Sequence, residues 1–301
     1  MNPVRVAIAP ILVLGSMLQA AHAAPLPRPV VILTSSSVEA FGEAVEGMRR
    51  TLGTEVRVVT LDLASKPEAI SRRLAENNPA LLVAVGNNAL QTAEQFGAAP
   101  VIATMLVRAD LAAVRQRSPA GAVVLDLAFG DVLAGLARAF PGKSHAGMIL
   151  NSGMGAGRDA TLIAQARGAG IELQVIDCPL PEKLIQSLRS LRQQVDFVWC
   201  PPDGALFNGT TIKPLILASL EYQLPLVGFS EGFVRAGGAA GIYPDYFEVG
   251  VQAGEMARKF LAGANISNEG PRKTRVAINP RIGRLLGLKL SHSESGLVVI
   301  E

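Results

Sequence analysis

The sequence contains few residues that bind metals or form covalent crosslinks. Its 301 residues include only two cysteines and three histidines. No pair of them has the spacing of metal ligands, so we expect no metal site. The formal net charge of +3 is small, and the basic residues are scattered, which does not indicate nucleic-acid binding. Charged residues are 18% of the chain and apolar residues 49%, a balance that predicts well-buried cores.

Long apolar runs are missing except near the N-terminus. Arg5 precedes the apolar run 6–18, and Ala21-His22-Ala23 fits a cleavage site. Residues 1–23 are therefore predicted to be a cleaved signal peptide, which places the mature chain in the periplasm. The alternative is an uncleaved membrane anchor, which would lack the small residues at the end of the run. No later run reaches the roughly 18 apolar residues of a spanning helix.

The two cysteines each end a predicted buried strand. An oxidising compartment permits a disulfide between Cys178 and Cys200. If their strands flank a third strand, however, the two Cα atoms lie about 10 Å apart, which is beyond the reach of a disulfide. We expect two buried thiols, with the disulfide as the alternative.

Apolar runs of strand length alternate with helical patterns along the chain. Two groups of five such runs lie at 29–33, 56–63, 80–85, 101–105 and 122–127, and at 146–150, 173–176, 197–200, 224–229 and 239–243. Most runs are continuous, which predicts strands buried on both faces of a parallel sheet. A further strand is predicted at 274–278, whereas 291–301 shows no clear structure. The alternation predicts an α/β protein built from right-handed βαβ units.

The grouping of the strands predicts two doubly wound parallel-sheet lobes joined by a hinge. We expect an N-terminal lobe of residues 24–127 plus 245–273, and a C-terminal lobe of residues 128–244 plus 274–301. In such open sheets, ligands bind beyond the carboxyl ends of the strands. Polar residues follow several predicted strands, and the ligand-binding residues predicted from them are Ser35, Ser36, Asn87, Asn151, Asp203, Glu231 and Tyr243.

These polar residues suit a ligand that carries both charges. Backbone N–H groups at helix N-termini favour a carboxylate or another anion. Asp203 and Glu231 suit a cation such as an ammonium group. The alternative for each residue is a purely structural role, because Ser, Asn and Asp are preferred helix N-caps.

Two short motifs raise enzymatic alternatives. Residues 228–232 match G-x-S-x-G around Ser230, and Asp245 and His292 follow in the order of a serine hydrolase. Glycines soon after Ser230 interrupt the long helix that a nucleophile elbow requires, and no HGGG-type oxyanion loop is present. Residues 153–158 nearly match a dinucleotide fingerprint, but Arg158 replaces the third glycine. We therefore predict a chain that is not an enzyme, with no catalytic residue and no cofactor.

The second half of the chain resembles a known family. The residues that carry the resemblance are Phe140-Pro141-Gly142-Lys143, Pro202-Asp203, Pro225-Leu226-Val227-Gly228-Phe229, Val234-Arg235-Ala236-Gly237-Gly238-Ala239 and Tyr246-Phe247-Glu248-Val249-Gly250. They are similar to the periplasmic substrate-binding components of ABC transporters that include tryptophan- and tyrosine-binding members. The resemblance implies a type I periplasmic binding fold. The strand-end Asp-Asn pair of that family reads Asp203-Gly204 here, so only the Asp carries over as a ligand contact.

The resemblance also implies how such a chain works. A small polar ligand, such as one that resembles an amino acid, is expected to be captured between the lobes, which close on it, and to be delivered to an ABC permease at the inner membrane. Tyr243 is expected near the hinge, and Phe41, Phe207 and Phe233 are candidates for stacking on an aromatic ligand or for core positions. A ligand-sensing module of the same fold is the alternative, and a monomer is expected.

Overall fold

The chain folds into two α/β units that alternate strands with helices. The computed structural model describes residues 28–35, 38–54, 57–64, 66–112, 119–151, 158–288 and 297–300. The predicted signal peptide lies outside these residues. Among the helices of the described ranges, none is both long enough and apolar enough to cross a membrane.

The first unit, called the N-lobe here, is built on a five-stranded parallel sheet. Its strands are β1 Val30–Thr34, β2 Val58–Asp62, β3 Leu81–Val85, β4 Val101–Thr104 and β5 Gly121–Val123, in the order β2-β1-β3-β4-β5. Its helices are α1 Glu39–Leu52, α2 Pro67–Asn77, α3 Asn87–Phe96, α4 Arg108–Ala112 and the distant α10 Tyr246–Leu261. Every residue of β1, β3, β4 and β5 is buried, as continuous apolar runs predict.

The second unit, the C-lobe, is built on a seven-stranded sheet. Its strands are β6 His145–Leu150, β7 Glu172–Asp177, β8 Phe197–Trp199, β9 Leu226–Gly228, β10 Ala240–Pro244, β11 Thr274–Ile278 and β12 Leu297–Val299. They lie in the order β12-β11-β10-β9-β8-β6-β7, and the β10–β11 pair is antiparallel. Its helices are α5 Phe129–Ala139, α6 Arg158–Gly168, α7 Leu184–Ser190, α8 Ile212–Glu221, α9 Glu231–Arg235 and α11 Pro280–Leu285.

The predicted α/β class with two parallel-sheet lobes is confirmed, with one correction near the C-terminus. The tail 291–301 was expected to lack structure, but Leu297–Val299 forms a strand that pairs with β11. Its apolar residues extend the sheet, and Ile300 beyond it is 3% exposed. The predicted lobe boundaries remain a prediction, because the sheets show only which strands belong together.

A close helix pair attaches α10 to the N-lobe. A Cβ added at Gly47 of α1 would lie 2.1 Å from the carbonyl oxygen of Phe247, and one at Gly250 of α10 would lie 2.0 Å from that of Ala44. Only glycine permits the two backbones to approach so closely. The buried side chains of both helices then cover the face of the sheet that contains Val30 and Ile32 of β1.

The positions of the two cysteines confirm the expected thiols. Strand β6 lies between β7 and β8, so Cys178 after β7 and Cys200 after β8 are separated by a whole strand. Both thiols are free and buried. Burial raises the pKa of the Cys200 thiol well above its ordinary value, which disfavours the reactive thiolate.

Candidate functional site

The carboxyl edges of the two sheets face one another. Strand β10 of the C-lobe runs directly into α10, which packs on the N-lobe, and β5 of the N-lobe leads through residues 124–128 into α5 of the C-lobe. In each lobe, one strand (β5 in the N-lobe and β10 in the C-lobe) therefore leads from its carboxyl end straight into the other lobe. Loops after the strands of both lobes border the gap between them, which is where open α/β sheets bind ligands.

In the N-lobe, the predicted residues Ser35 and Asn87 occupy this edge. Ser35 is half-buried immediately after β1, and Asn87 is exposed as the first residue of α3. Ser36 lies outside the described residues. Before Asn87, Gly86 has a φ of 84°, and the ring of Phe41 packs so closely that a Cβ there would lie 2.6 Å from it. Phe41 is partly exposed and thus remains the stacking candidate at this edge.

Two N-lobe helices that begin at this edge have cap residues whose side chains make no hydrogen bond. Helix α1 starts after Val38 and α3 after Gly86, and neither residue makes a capping hydrogen bond with its side chain. The first N–H groups of an uncapped helix lack an intrahelical acceptor. Two helix N-termini therefore present backbone donors and positive dipole ends towards the gap, an arrangement that suits an anion.

In the C-lobe, the predicted residues Asn151 and Asp203 are half-buried at the opposing edge. Asn151 follows β6. Asp203 follows β8 and turns one carboxylate oxygen, Oδ1, towards its own loop, where it accepts from the backbone N–H groups of Ala205 at 2.9 Å and Leu206 at 3.2 Å. The structural role expected as the alternative for Asp203 is therefore present, and it occupies part of the carboxylate.

Glu231 lies in a cavity between the lobes. The cavity has a volume of about 230 Å³ and is lined by Glu39, Ala40, Glu43, Ser230, Glu231, Gly232, Arg235 and Tyr246. Its walls come from the start of α1, the start of α9 and the start of α10. The Glu231 carboxylate accepts hydrogen bonds from the Arg235 guanidinium and, at 3.4 Å, from the Tyr243 hydroxyl. The structure thus brings Glu231 against α1.

Tyr243 is buried beneath this cavity. Its exposed fraction is 0%, and its ring stacks on that of Tyr246 with 5.6 Å between centroids. Burial and the negative charge of Glu231 raise the pKa of the Tyr243 hydroxyl, and burial raises that of Tyr246 to about 12. Both phenols are therefore neutral at physiological pH, and Tyr243 supports Glu231 from below.

The predicted residues are not all brought together. Ser35, Asn87, Asn151 and Asp203 border the same gap but do not line the cavity that contains Glu231. Phe207 and Phe233, which were stacking candidates, are 3% and 2% exposed and belong to the C-lobe core.

Sequence reasoning missed a group of charged residues beside the cavity. The Arg275 guanidinium of β11 donates to the Glu43 carboxylate at 2.8 Å, and its Nε lies 3.0 Å from the Asp245 carboxylate. Burial lowers the pKa of Arg275, but the hydrogen bonds and charges of Asp245 and Glu43 raise it above its ordinary value. One signal was available, because Arg275 is the only charged residue in β11.

The geometry of Ser230 is that of a helix cap. Its Oγ accepts from the Phe233 N–H at 3.2 Å and begins the five-residue helix α9. His145 begins β6, so it lies at the edge of the C-lobe sheet opposite to Ser230, which follows β9. His292 and the glycine-rich residues 153–157 lie outside the described residues. Within the described ranges, no group of His, Cys, Asp and Glu side chains could hold a metal ion.

Comparison with known families identifies this architecture. The family model described as ABC transporter substrate binding protein matches residues 61–293. The chain belongs to this family. The match extends from the end of β2 to the residues after α11, and so includes most of both lobes and the segments that join them, whereas β1 and α1 precede it. No curated protein matches the sequence significantly.

Solved structures of substrate-binding proteins share the fold. The ligand-free, open structure of CD0873, a substrate-binding protein with adhesive properties from Clostridium difficile, superposes with a TM-score of 0.67 at 18% identity, over 91% of this chain and 99% of that one. The ABC domain from Streptococcus pneumonia in complex with L-Trp gives a TM-score of 0.57 at 18% identity, over 90% of this chain and 99% of that one. At such identities, the similarity shows that this substrate-binding protein has their fold.

Proposed function

We propose that this substrate-binding protein captures a small, polar, amino-acid-like ligand between its lobes, without changing it chemically, for an ABC importer. The single observation that supports the proposal most is the pair of opposed carboxyl edges, with a cavity between α1 and α9. The membership of the family supports the same function. The ligand is a small molecule, and nucleic acid is not a partner.

The charges at the two edges indicate how such a ligand is oriented. The uncapped N-termini of α1 and α3 favour a carboxylate on the N-lobe side. The cavity wall carries three carboxylates, Glu39, Glu43 and Glu231, and Arg235. Even with Arg275 paired to Glu43, the carboxylates are in excess, which favours an ammonium group at that end.

The proposed working cycle begins with a free periplasmic monomer, released by cleavage of the signal peptide. Ligand first contacts one lobe, and rotation about the crossing segments then brings the other lobe onto it. Closure replaces water with direct hydrogen bonds to Ser35, Asn87, Asn151, Asp203 and Glu231. The closed form then docks on a permease at the inner membrane.

A thermal-shift and calorimetric screen tests the proposal. The compounds are the twenty L-amino acids, L-Trp included because the Streptococcus pneumonia relative binds it, and small carboxylates without an amine. We expect an amine-bearing carboxylate to stabilise the chain by about 2.7 kcal/mol when its concentration is a hundredfold above Kd. The carboxylates without an amine should bind more weakly.

A variant pair locates the site. Glu231→Gln removes a carboxylate from the cavity and should weaken binding of the selected compound at least about tenfold, which is 1.4 kcal/mol. Glu221→Gln at the exposed C-terminal end of α8 is the matched control and should bind as the wild type does. Equal affinity in both variants, or no binding by any compound of the screen, would contradict the proposal.

A further inference from the structure

One arginine connects the two lobes beside the cavity. Arg275 lies on β11 of the C-lobe sheet, paired across to Tyr243 of β10. Its Nη1 donates to Oε2 of Glu43, which belongs to α1 of the N-lobe, at a distance of 2.8 Å. Its Nε lies 3.0 Å from Oδ2 of Asp245, the N-cap of α10.

The two carboxylates differ in how they are attached to the C-lobe. The Asp245 backbone N–H donates to the Lys273 carbonyl at 3.0 Å, which continues the β10–β11 ladder. Asp245 therefore moves with β11 and keeps its contact with Arg275. Glu43 is instead held by α1, which is fixed to the N-lobe through its close packing with α10. A rotation of the lobes consequently changes the Arg275–Glu43 distance most directly.

The surroundings make this ion pair stronger than an ordinary surface pair. The Arg275 and Glu43 side chains are 30% and 32% exposed, and one guanidinium serves two carboxylates. The stacked rings of Tyr243 and Tyr246 lie beside the guanidinium, and its positive charge opposes the rise in the pKa of both hydroxyl groups. Charge-assisted hydrogen bonds to a planar guanidinium hold a defined geometry, whereas an exposed, flexible pair contributes little.

We propose that Arg275 is a positioning residue that clamps Glu43 to the C-lobe and thereby fixes the relative orientation of the lobes in the ligand-free chain. Because Glu43 also lines the cavity, a cationic group of a ligand competes with Arg275 for its carboxylate. This second consequence rests on the proposed function, whereas the fixed orientation does not.

The interlobe distance in the absence of ligand tests the clamp. Spin labels are attached to cysteines introduced at the exposed positions Glu76 of α2 and Glu221 of α8, one in each lobe. The native cysteines are buried and should stay unlabelled. Pulsed electron-electron double resonance then reports the distribution of distances between the lobes.

We expect Arg275→Met and Glu43→Gln each to shift and broaden this distribution, and the double variant to shift it no further than either single variant. Arg272→Met is the matched control. Arg272 also pairs with two carboxylates, those of Glu255 in α10 and Glu269, but Glu269 bonds to the N-lobe strand β5. Loss of Arg272 should therefore leave the distribution unchanged.

The outcomes separate a clamp from a merely structural ion pair. An unchanged distribution in Arg275→Met overturns the inference, even if the variant has a lower unfolding midpoint. Equal shifts in Arg275→Met and Arg272→Met also overturn it, since they would report general loosening. A failed ligand screen would leave this measurement unaffected, because no ligand is present in it.

Discussion

Helices of the two lobes that begin at the gap differ in how their first N–H groups are satisfied. At the gap, α1 and α3 of the N-lobe begin without a side-chain cap. On the C-lobe side Ser230 caps α9, and at the crossing point Asp245 caps α10 with its side chain. The starts of α1 and α3 thus offer backbone donors to a ligand, whereas Ser230 uses its side-chain oxygen to complete α9.

This difference teaches how to interpret polar residues at strand ends. A serine or aspartate there is a weaker indicator of ligand contact in the C-lobe, because Ser230 and Asp203 already accept backbone hydrogen bonds. At a helix N-terminus after Val38 or Gly86, the cap residue has no polar side chain to attract notice, yet the first N–H groups of such a helix lack an intrahelical acceptor. The lobes also differ in construction, because the N-lobe depends on α10 from far along the chain.

Gly250→Ala tests the dependence of the N-lobe on α10, and we expect it to lower the stability of the chain most. The added Cβ would meet the Ala44 carbonyl oxygen of α1 at 2.0 Å, so that the helix pair must separate. We expect the free energy of unfolding to fall by about 3 kcal/mol, at the upper end for overpacking. Chemical denaturation monitored by circular dichroism measures the change.

Gly42→Ala is the matched control in the same helix pair. Gly42 lies in α1 with nothing within 4 Å of an added Cβ, so this change should stabilise the chain by about 0.5–1 kcal/mol. If Gly250→Ala proves as stable as Gly42→Ala, the N-lobe does not depend on close packing with α10.

Removing the cap of α9 or adding a cap to α1 should change the free energy of unfolding less than Gly250→Ala does. Ser230→Ala removes the cap of α9 and should cost about 1 kcal/mol of stability. Val38→Ser adds a cap to α1 and should gain up to about 1 kcal/mol, but it occupies N–H groups proposed to meet the ligand carboxylate. We therefore expect the more stable Val38→Ser variant to bind the selected ligand more weakly.

Paired denaturation and calorimetry measure both properties. A Val38→Ser variant that gains stability and retains full affinity would show that the start of α1 plays no part in binding. Ester hydrolysis lost specifically in Ser230→Ala would revive the hydrolase alternative.

The smallest expected change in stability concerns the edges of the two sheets that face away from the gap. There the N-lobe is tied by Arg28, which donates to the carbonyls of Asn78 and Pro79. The C-lobe is tied by Asp196, which accepts from the N–H groups of Ser144 and His145 and from Lys143. Burial would raise the pKa of Asp196, but these hydrogen bonds and the charge of Lys143 lower it below 3.8.

Because the folded pKa of Asp196 is lowered, its stabilisation is present above about pH 4 and is lost as the pH falls through the folded value. Asp196→Asn should therefore cost about 0.5–1 kcal/mol at pH 7, a modest value because water reaches the carboxylate. Urea unfolding at pH 7 and pH 3 should show the difference from wild type shrinking with acid. A difference that is the same at both pH values would assign the effect to lost geometry instead of charge.

The fold was predictable from the sequence because its signals are local and repeated. Continuous apolar runs such as β1 and β3 are recognisable without knowing their neighbours, and both are buried as expected. Strand β12 was not predicted because three residues next to a polar stretch carry little pattern. These residues form a strand through their pairing with β11.

The site was less predictable because side-chain direction and distant pairing have no local signal. Tyr243 follows the pattern of a strand-end polar residue, yet it points into the protein and is fully buried. Glu43 and Arg275 are separated by 232 residues, and nothing near either one indicates the other. The residues that were predicted, Ser35, Asn87, Asn151 and Asp203, remain predictions as ligand contacts.

The pairing of α1 with α10 also sets an order of assembly during synthesis. The nascent chain produces α1 early, but the helix that covers it, Tyr246–Leu261, is made only near the end. Until then, the apolar residues Met48 and Leu52 of α1 and the strands beneath them have no lasting cover. A growing or translocating chain is therefore expected to need a chaperone at this face, since such exposed surface promotes aggregation.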